Sequence, residues 1–490
     1  MSKVLYCSLV GGALLLGTSS MAVAASGGDM KATVKKLQAQ VNALSVKLNK
    51  VEAKKQESNA APSKKNQDKV LHDVTSRAEA YIDEKLAEKE KKTPVGYIDI
   101  AGSNTAIKIG GFVKIDTIYD AGPFTGDSSQ LPTLPLRNYT ADAQRTGYFH
   151  MHARQSRLSF ASLTATKNMG ELATYIECDF FGTNNFGTAA VSRSEPSSAS
   201  AYNFRLRLAY VDFAGFRFGQ DWTTLYDQEA TGSTVEFNGI SANNIARNAQ
   251  VRYTMKACEG KVSWAVGLEN PYTDYTDSTG TLKGDSAFLG GSGGDGFQQM
   301  PDLTTMLKVK GDAGHIAIRG MARQLTVKFS TTSGAVIKKS VGGWAAGISG
   351  KLKTYHKGGI YAQGIVGDGV GRYLFDLIGQ GAAFNSTTTQ FQAQRAWAVS
   401  VGIEHYWTEQ WRSNLGYGHT GIMLAKFSPF KVTSTVLPIS RSFDQMLINT
   451  FYKPIDNFEI GFEFNYYLRR ATGRYKGTGK RFQLGIKYTF

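Results

Sequence analysis

Nowhere does this 490-residue chain hold the roughly 20 consecutive apolar residues that a membrane-crossing helix requires. If it meets a bilayer, it crosses with strands. Cysteine is almost missing: with Cys7 inside the leader described below, only Cys178 and Cys258 remain. Two thiols build no disulfide framework, and they read as unpaired. Proline is scarce too, 11 residues against 53 glycines, 27 Phe and 23 Tyr, a balance that suits a large β-protein. There is no P-loop and no Cys-x-x-Cys pair. His150 and His152 alternate as in any strand, with no Cys or carboxylate cluster beside them, so no metal is expected. The stretch Gly290 to Gln298 fits one calcium-binding nonapeptide, but a single copy cannot stack, and it reads as a loop. No cofactor is expected, and no nucleic-acid partner.

What is there begins with an export signal over residues 1–25. Lys3 precedes an apolar stretch from Leu9 to Leu16, and small residues around Ala24 and Ala25 permit cleavage after either. Residues 26–58 follow as an α-helical coiled coil, with Met30, Val34, Leu37, Val41, Leu44, Leu48 and Val51 recurring at alternating spacings of four and three. A lone amphipathic helix is the other reading of that stripe. Residues 59–94 form a polar linker and a Lys-, Glu- and Ala-rich helical spacer closed by Pro94.

From about Ala106 the period changes from helical to two, and residues 95–490 are expected to form one strand-built domain. Ile107, Ile109, Val113 and Ile115 give one apolar face; Trp397, Val399, Val401 and Ile403 give another. The opposite faces carry charge, as at Lys114, Asp116, Arg205 and Arg207. About sixteen such segments occur, an even number as in bacterial outer-membrane barrels. Their connections alternate: short turns such as Ala214-Gly215 lie between long loops such as Ala121 to Gly147 and Trp222 to Arg247. The expected fold is therefore a 16-stranded antiparallel transmembrane β-barrel. The closing segment, FQLGIKYTF, fits: a last strand must pair with the first, because an open edge in hydrocarbon leaves backbone groups unsatisfied.

With the apolar faces outward, the inward set is basic. Setting aside the 16 basic and 10 acidic residues of positions 1–94, 40 Lys and Arg remain against 30 Asp and Glu. Basic rings favour anions. The densest run is a wall of Arg154, Arg157, Arg205, Arg207, Arg217 and Arg252, with Arg319, Arg323 and Lys114 as further pore-lining candidates. Arg154 and Arg157 have opposite parity, so a bulge intervenes or one of them points away. Guanidinium forks bind carboxylates and phosphates bidentately; equally, Glu177 and Asp179 on the intervening strand could brace the wall. Asp227, Glu229 and Glu236 in the third long loop would face these arginines if that loop folds inward, forming a constriction.

The order of these pieces, with the motifs IKIGGFVKIDTIYD, ARQSRLSFAS, YIECDFFG and FRLRLAYVDFAGFRFGQDW, resembles the DcaP-like family of outer-membrane porins. The resemblance implies a homotrimer in outer-membrane lipid, its coiled coil in the periplasm, taking up small anions such as dicarboxylates. More distantly the arginine column is similar to that of phosphate- and polyphosphate-selective porins. A plugged structural or surface-interaction barrel is the competing class. A hydrolase would need a Ser/His pair on the barrel exterior, and the histidines are inward or in loops.

Overall fold

The computed structural model describes residues 94–490 except 124–131, 133, 145, 167–169, 183–202, 284–295, 331–333, 335, 355–356, 428–432 and 434–435. The segments expected to be leader, coiled coil and helical spacer lie outside the described residues. The chain divides into two compact units, one of residues up to Ile109 with Phe160–Ala173, the other of Gly110–Ser159 with Thr174–Phe490. In the first, a short strand Ile98–Asp99 pairs with Ala106 and Ile107, and the hydroxyls of Thr105 and Thr164 meet at 2.9 Å.

The sheet is a closed antiparallel barrel of sixteen spanning strands. They are β1 (Thr105–Asp120), β2 in two pieces (Tyr148–His152 and Arg157–Ala165), β3 (Glu171–Gly182), β4 (Asn203–Phe213), β5 (Phe216–Trp222), β6 (Arg247–Ala257), β7 (Val262–Glu269) and β8 (Asp302–Gly311). The second half comprises β9 (Gly314–Ser330), β10 (Val336–Lys353), β11 (Gly359–Asp368), β12 (Arg395–Tyr406), β13 (Trp411–Met423), β14 (Ser440–Ile455), β15 (Phe458–Ala471) and β16 (Lys476–Thr489).

Closure is direct. β1 pairs with β16 from Phe112↔Thr489 to Asp120↔Arg481. Beyond that ladder Gly111 N–H donates to the Phe490 carbonyl (3.2 Å) and Phe490 N–H donates back (3.1 Å), so the last residue seals the edge. Gly111 has φ +152°, and a side chain there would strike the Arg157 carbonyl, which only glycine avoids.

Alternation sorts the residues as hydrocarbon demands. β12 reads exposed-buried through ten consecutive positions, with Trp397, Val399, Val401 and Ile403 outside and Ser400 and Glu404 inside. The parity conflict at Arg154 is resolved by the break in β2: Ala153–Ser156 forms a turn, Ser156 N–H donating to the Ala153 carbonyl at 3.0 Å.

The interior departs from a uniformly charged bore. Loops between β7 and β8 and between β11 and β12 join in a small sheet, where Tyr275–Thr276 runs parallel to Ala382–Asn385. Val370, Tyr373, Leu374 and Leu377 pack on Ala345, Ile365, Ala398 and Phe443 as one buried apolar cluster. Small inward side chains on β10 to β12 make room for these loop residues, which lose contact with water there.

Candidate functional site

The loop Thr223–Ala246, between β5 and β6, lies inside the barrel. Thr223 N–H donates to the Ala246 carbonyl (2.9 Å) at its base, and Glu269 takes the Thr223 hydroxyl and the Thr224 N–H at 2.9 and 2.8 Å. Farther along, Asp227 accepts from Lys308 Nζ (2.6 Å) and the Ser349 hydroxyl (2.7 Å) and meets His315 Nε2 at 2.8 Å. The loop tip reaches the other side: Val235 and Glu236 N–H groups donate to Glu463 (2.8 and 3.2 Å), Ser241 N–H to Gln445 (2.6 Å), and Lys114 Nζ donates to the Val235 carbonyl (2.7 Å). A buried loop must satisfy its backbone, and inward polar side chains of the strands do so. Burial tends to raise the Asp227 carboxyl, but Lys308, Ser349 and His315 outweigh it and hold the group below the usual carboxylate range.

The three loop acids do not face the arginines. Asp227 belongs to Lys308 and His315. Glu229 lies 2.7 Å from Lys310 and 3.3 Å from Lys308, and Glu236 accepts from Asn238 N–H at 2.6 Å. The inward fold was one of two readings the sequence left open, and the wall these acids meet is set by tertiary contacts absent from the loop's local pattern.

Each wall arginine has a settled place. Arg205 grips Asp179 with two bonds (2.9 and 2.6 Å), and Arg207 spans Glu177 (2.5 Å) and Asp179 (3.0 Å). Arg217 forks onto Asp212 (2.7 and 2.6 Å) and reaches Asp221 (2.5 Å), which Arg252 shares at 2.7 Å. Arg154 donates to the Phe180 carbonyl (3.3 Å) and lies over the Phe181 ring. Arg157 stands 3.6 Å from Glu177. Lys114 is neutralised by Asp116 at 2.9 Å.

Arg319 and Arg323 sit elsewhere. Arg319 is buried and donates to Leu225 O (2.7 Å), Asn244 (3.1 Å) and the Ile348 and Gly364 carbonyls (3.0 and 3.1 Å), so it staples the inward loop to β10 and β11. Arg323 donates to Gly369 O (2.9 Å) and Tyr272 O and lies 3.3 Å from Asp302. These two read as loop anchors in the geometry.

The bracing divides the wall in two. Around Arg217 and Arg252, two cations meet two carboxylates. Around Glu177 and Asp179 the count differs: among the described residues Arg157, Arg205 and Arg207 pair with these two carboxylates, and Arg247 stands beside them. Arg247 makes no hydrogen bond or ion pair with the described residues; its guanidinium lies 5.2 Å from the Trp222 ring, and Arg205 and Arg207 each lie 5.4 Å from the Phe237 ring of the inward loop. Sequence reading missed Arg247. Strict alternation in β6 puts it opposite to Asn248 and Gln250, which are inside, and only its position at the loop junction turns it inward.

At the short-turn end a recess of about 400 Å³ opens, lined by Lys357, Glu409, Arg412, Glu459 and Lys487 among others.

A family model described as a Porin subfamily matches residues 94–484. No curated protein sequence matches the chain. Among solved structures, the outer membrane channel DcaP of Acinetobacter baumannii is similar with a TM-score of 0.62 at 18% identity, covering 79% of this chain and 98% of that one. OmpT of Vibrio cholerae gives 0.46 at 11% identity (80% and 99% covered), and an anion-selective porin from Comamonas acidovorans 0.43 at 10% (79% and 100%).

Proposed function

The chain belongs to the porin subfamily, and from that premise we propose that it passes small hydrophilic solutes with a preference for anions such as dicarboxylates. One observation carries the preference: among the described residues, four guanidiniums gather around only two carboxylates, Glu177 and Asp179, beside the tip of the inward loop. Fixed, partly desolvated cations at a narrowing raise the local concentration of anions and the barrier to cations. Arg217 and Arg252, being balanced by Asp212 and Asp221, serve to hold strands in register. In this reading Asp227, Glu229 and Glu236 fix the constriction loop in place, and Lys114, Arg319 and Arg323 position it or its neighbours.

The assembly we propose is a homotrimer in outer-membrane lipid, exported by residues 1–25, with residues 26–58 as a periplasmic coiled coil. Cross-linking of the full chain in membranes tests the trimer. The competing reading, a plugged structural barrel, draws on the apolar cluster inside the bore and requires silence in planar bilayers.

The channel reading is tested by reversal potentials across a potassium chloride gradient. The wild type should favour chloride, and Arg157→Gln with Arg247→Gln should move the potential toward cation preference. Succinate or phosphate added to one side should block chloride current in the wild type more than in the double variant. An unchanged potential would remove the arginine cluster from the selectivity mechanism.

A further inference from the structure

We infer that Gln220, on the outer face of the barrel, is a positioning residue for the arginines of β4; the inference rests on the channel reading above. Strict alternation does not describe β4. At its start the odd positions point into the bore, since Arg205 and Arg207 both meet Asp179, while Phe204 and Leu206 are exposed outside. Farther along the odd positions point out: Val211 and Phe213 lie opposite Phe218 and Phe216, which are exposed on the outer face. The strand therefore switches faces between Arg207 and Tyr210, as a β-bulge makes it do.

Three observations locate the irregularity. The β4–β5 ladder runs from Phe213↔Phe216 only as far as Ala209↔Gln220, although β4 begins at Asn203 and β5 continues to Trp222. Gly219, opposite Tyr210, holds φ +130°, and a side chain there would strike the Ala209 carbonyl. The carbonyls of Leu206 and Arg207 would point to opposite neighbours in a regular strand, yet both accept from Gln220 Nε2, at 3.2 and 2.9 Å.

Gln220 belongs to the outer row, two residues on from Phe218 and opposite Ala249, which is exposed. In hydrocarbon a bare carbonyl has no water to bond, and a glutamine is costly unless its amide is engaged. One side-chain amide answers both demands. The backbone it ties to β5 is the segment that carries Arg205 and Arg207, whose guanidiniums each lie 5.4 Å from the Phe237 ring at the loop tip. Gln220 thus fixes, from outside the wall, how far these two cations stand from the inward loop. Without it the ladder from Ala209 to Phe213 remains, but the arginine-bearing segment loses its hold on β5.

The test is Gln220→Leu, which suits a lipid-facing position and donates nothing, in the full chain with Cys178 and Cys258 changed to serine. Reversal potentials across a potassium chloride gradient should lose part of their chloride preference, and succinate should block less. A charged, membrane-impermeant methanethiosulfonate should label Leu206→Cys roughly thirtyfold faster once two hydrogen bonds are gone, with Phe218→Cys unchanged as the control. A cap that only sealed the sheet would leave the potential of the folded channel as it is. Wild-type potential and block, or wild-type labelling at Leu206→Cys, in folded Gln220→Leu would overturn the inference. Arg157→Gln with Arg247→Gln, recorded alongside, separates two failures. A shift there with none in Gln220→Leu overturns the positioning role alone; no shift in either removes the arginine cluster from selectivity, and the positioning role with it. If Gln220→Leu does not fold, labelling of otherwise wild-type chains decides: Arg207→Cys and Tyr210→Cys should react from the bore and Ala209→Cys should not. Reaction at Ala209→Cys in place of Tyr210→Cys would remove the bulge that Gln220 caps and overturn the inference.

Discussion

Replacing Asp227 by Ala removes one acceptor from three donors at once: Lys308, His315 and Ser349. Asp227 is fully buried and the Lys308 side chain only 12% exposed, so the lysine cannot simply rehydrate. Breaking a buried pair by deleting one partner costs about 3–5 kcal/mol. The low end applies here, because Lys308 keeps Glu229 at 3.3 Å. About 3 kcal/mol is a factor of roughly 100 in the equilibrium between docked and undocked loop. Asp227→Asn keeps an acceptor for Ser349 but loses the charge, and roughly half that loss is expected. The loop retains Glu463, Gln445 and Glu269, so the effect is local: larger, noisier single-channel conductance and faster proteolysis at residues 227–232, with the barrel intact. The pH dependence follows from the depressed carboxyl. Its stabilisation is complete above the ordinary carboxylate value and drains only as pH falls through the lower folded value. Conductance of the wild type should then be flat from neutral pH to roughly pH 5 and change only in stronger acid. Wild-type noise and proteolysis in Asp227→Ala would refute the assignment of Asp227 as the loop's anchor.

Asp376 offers the opposite sign. Burial raises its carboxyl despite bonds from Ser241, the Ala242 N–H and Thr420, so ionisation there costs stability at neutral pH. Asp376→Asn should raise the thermal midpoint at pH 7, and the gain should vanish as pH falls and the wild-type acid protonates. On the lipid face, Val401→Arg near the middle of β12 should cost about 2–4 kcal/mol in folding into vesicles, followed by urea titration. Deleting Phe490 removes the two backbone bonds to Gly111, each worth about 1 kcal/mol net, and should slow formation of the folded band in gel-shift folding assays.

The barrel was legible because hydrocarbon imposes a period-two pattern on every strand, whatever its neighbours do. Ile109, Val113 and Ile115 declare their face without any knowledge of β16. The site was legible in its residues and less so in its pairings. Arg205 and Arg207 were found by parity, and the bracing by Glu177 and Asp179 was an open alternative that the geometry realises. Arg247 was hidden because a residue at a loop junction need not obey the strand's alternation. The apolar filling around Tyr373 and Leu377 was hidden for a related reason: inside a barrel, loop residues meet partners tens of positions away or more, and no local period records that.

The carbonyl of Val235 takes hydrogen bonds from Lys114 on the first strand and, at 3.5 Å, from Gln483 on the last. The inward loop therefore clasps the seam at which the cylinder shuts. It has no complete berth until both ends of the sheet have met, so its docking belongs to the final step of assembly. An undocked clasp, caught by protease before the terminal strands zip, would mark chains that have entered the bilayer but have not yet become channels.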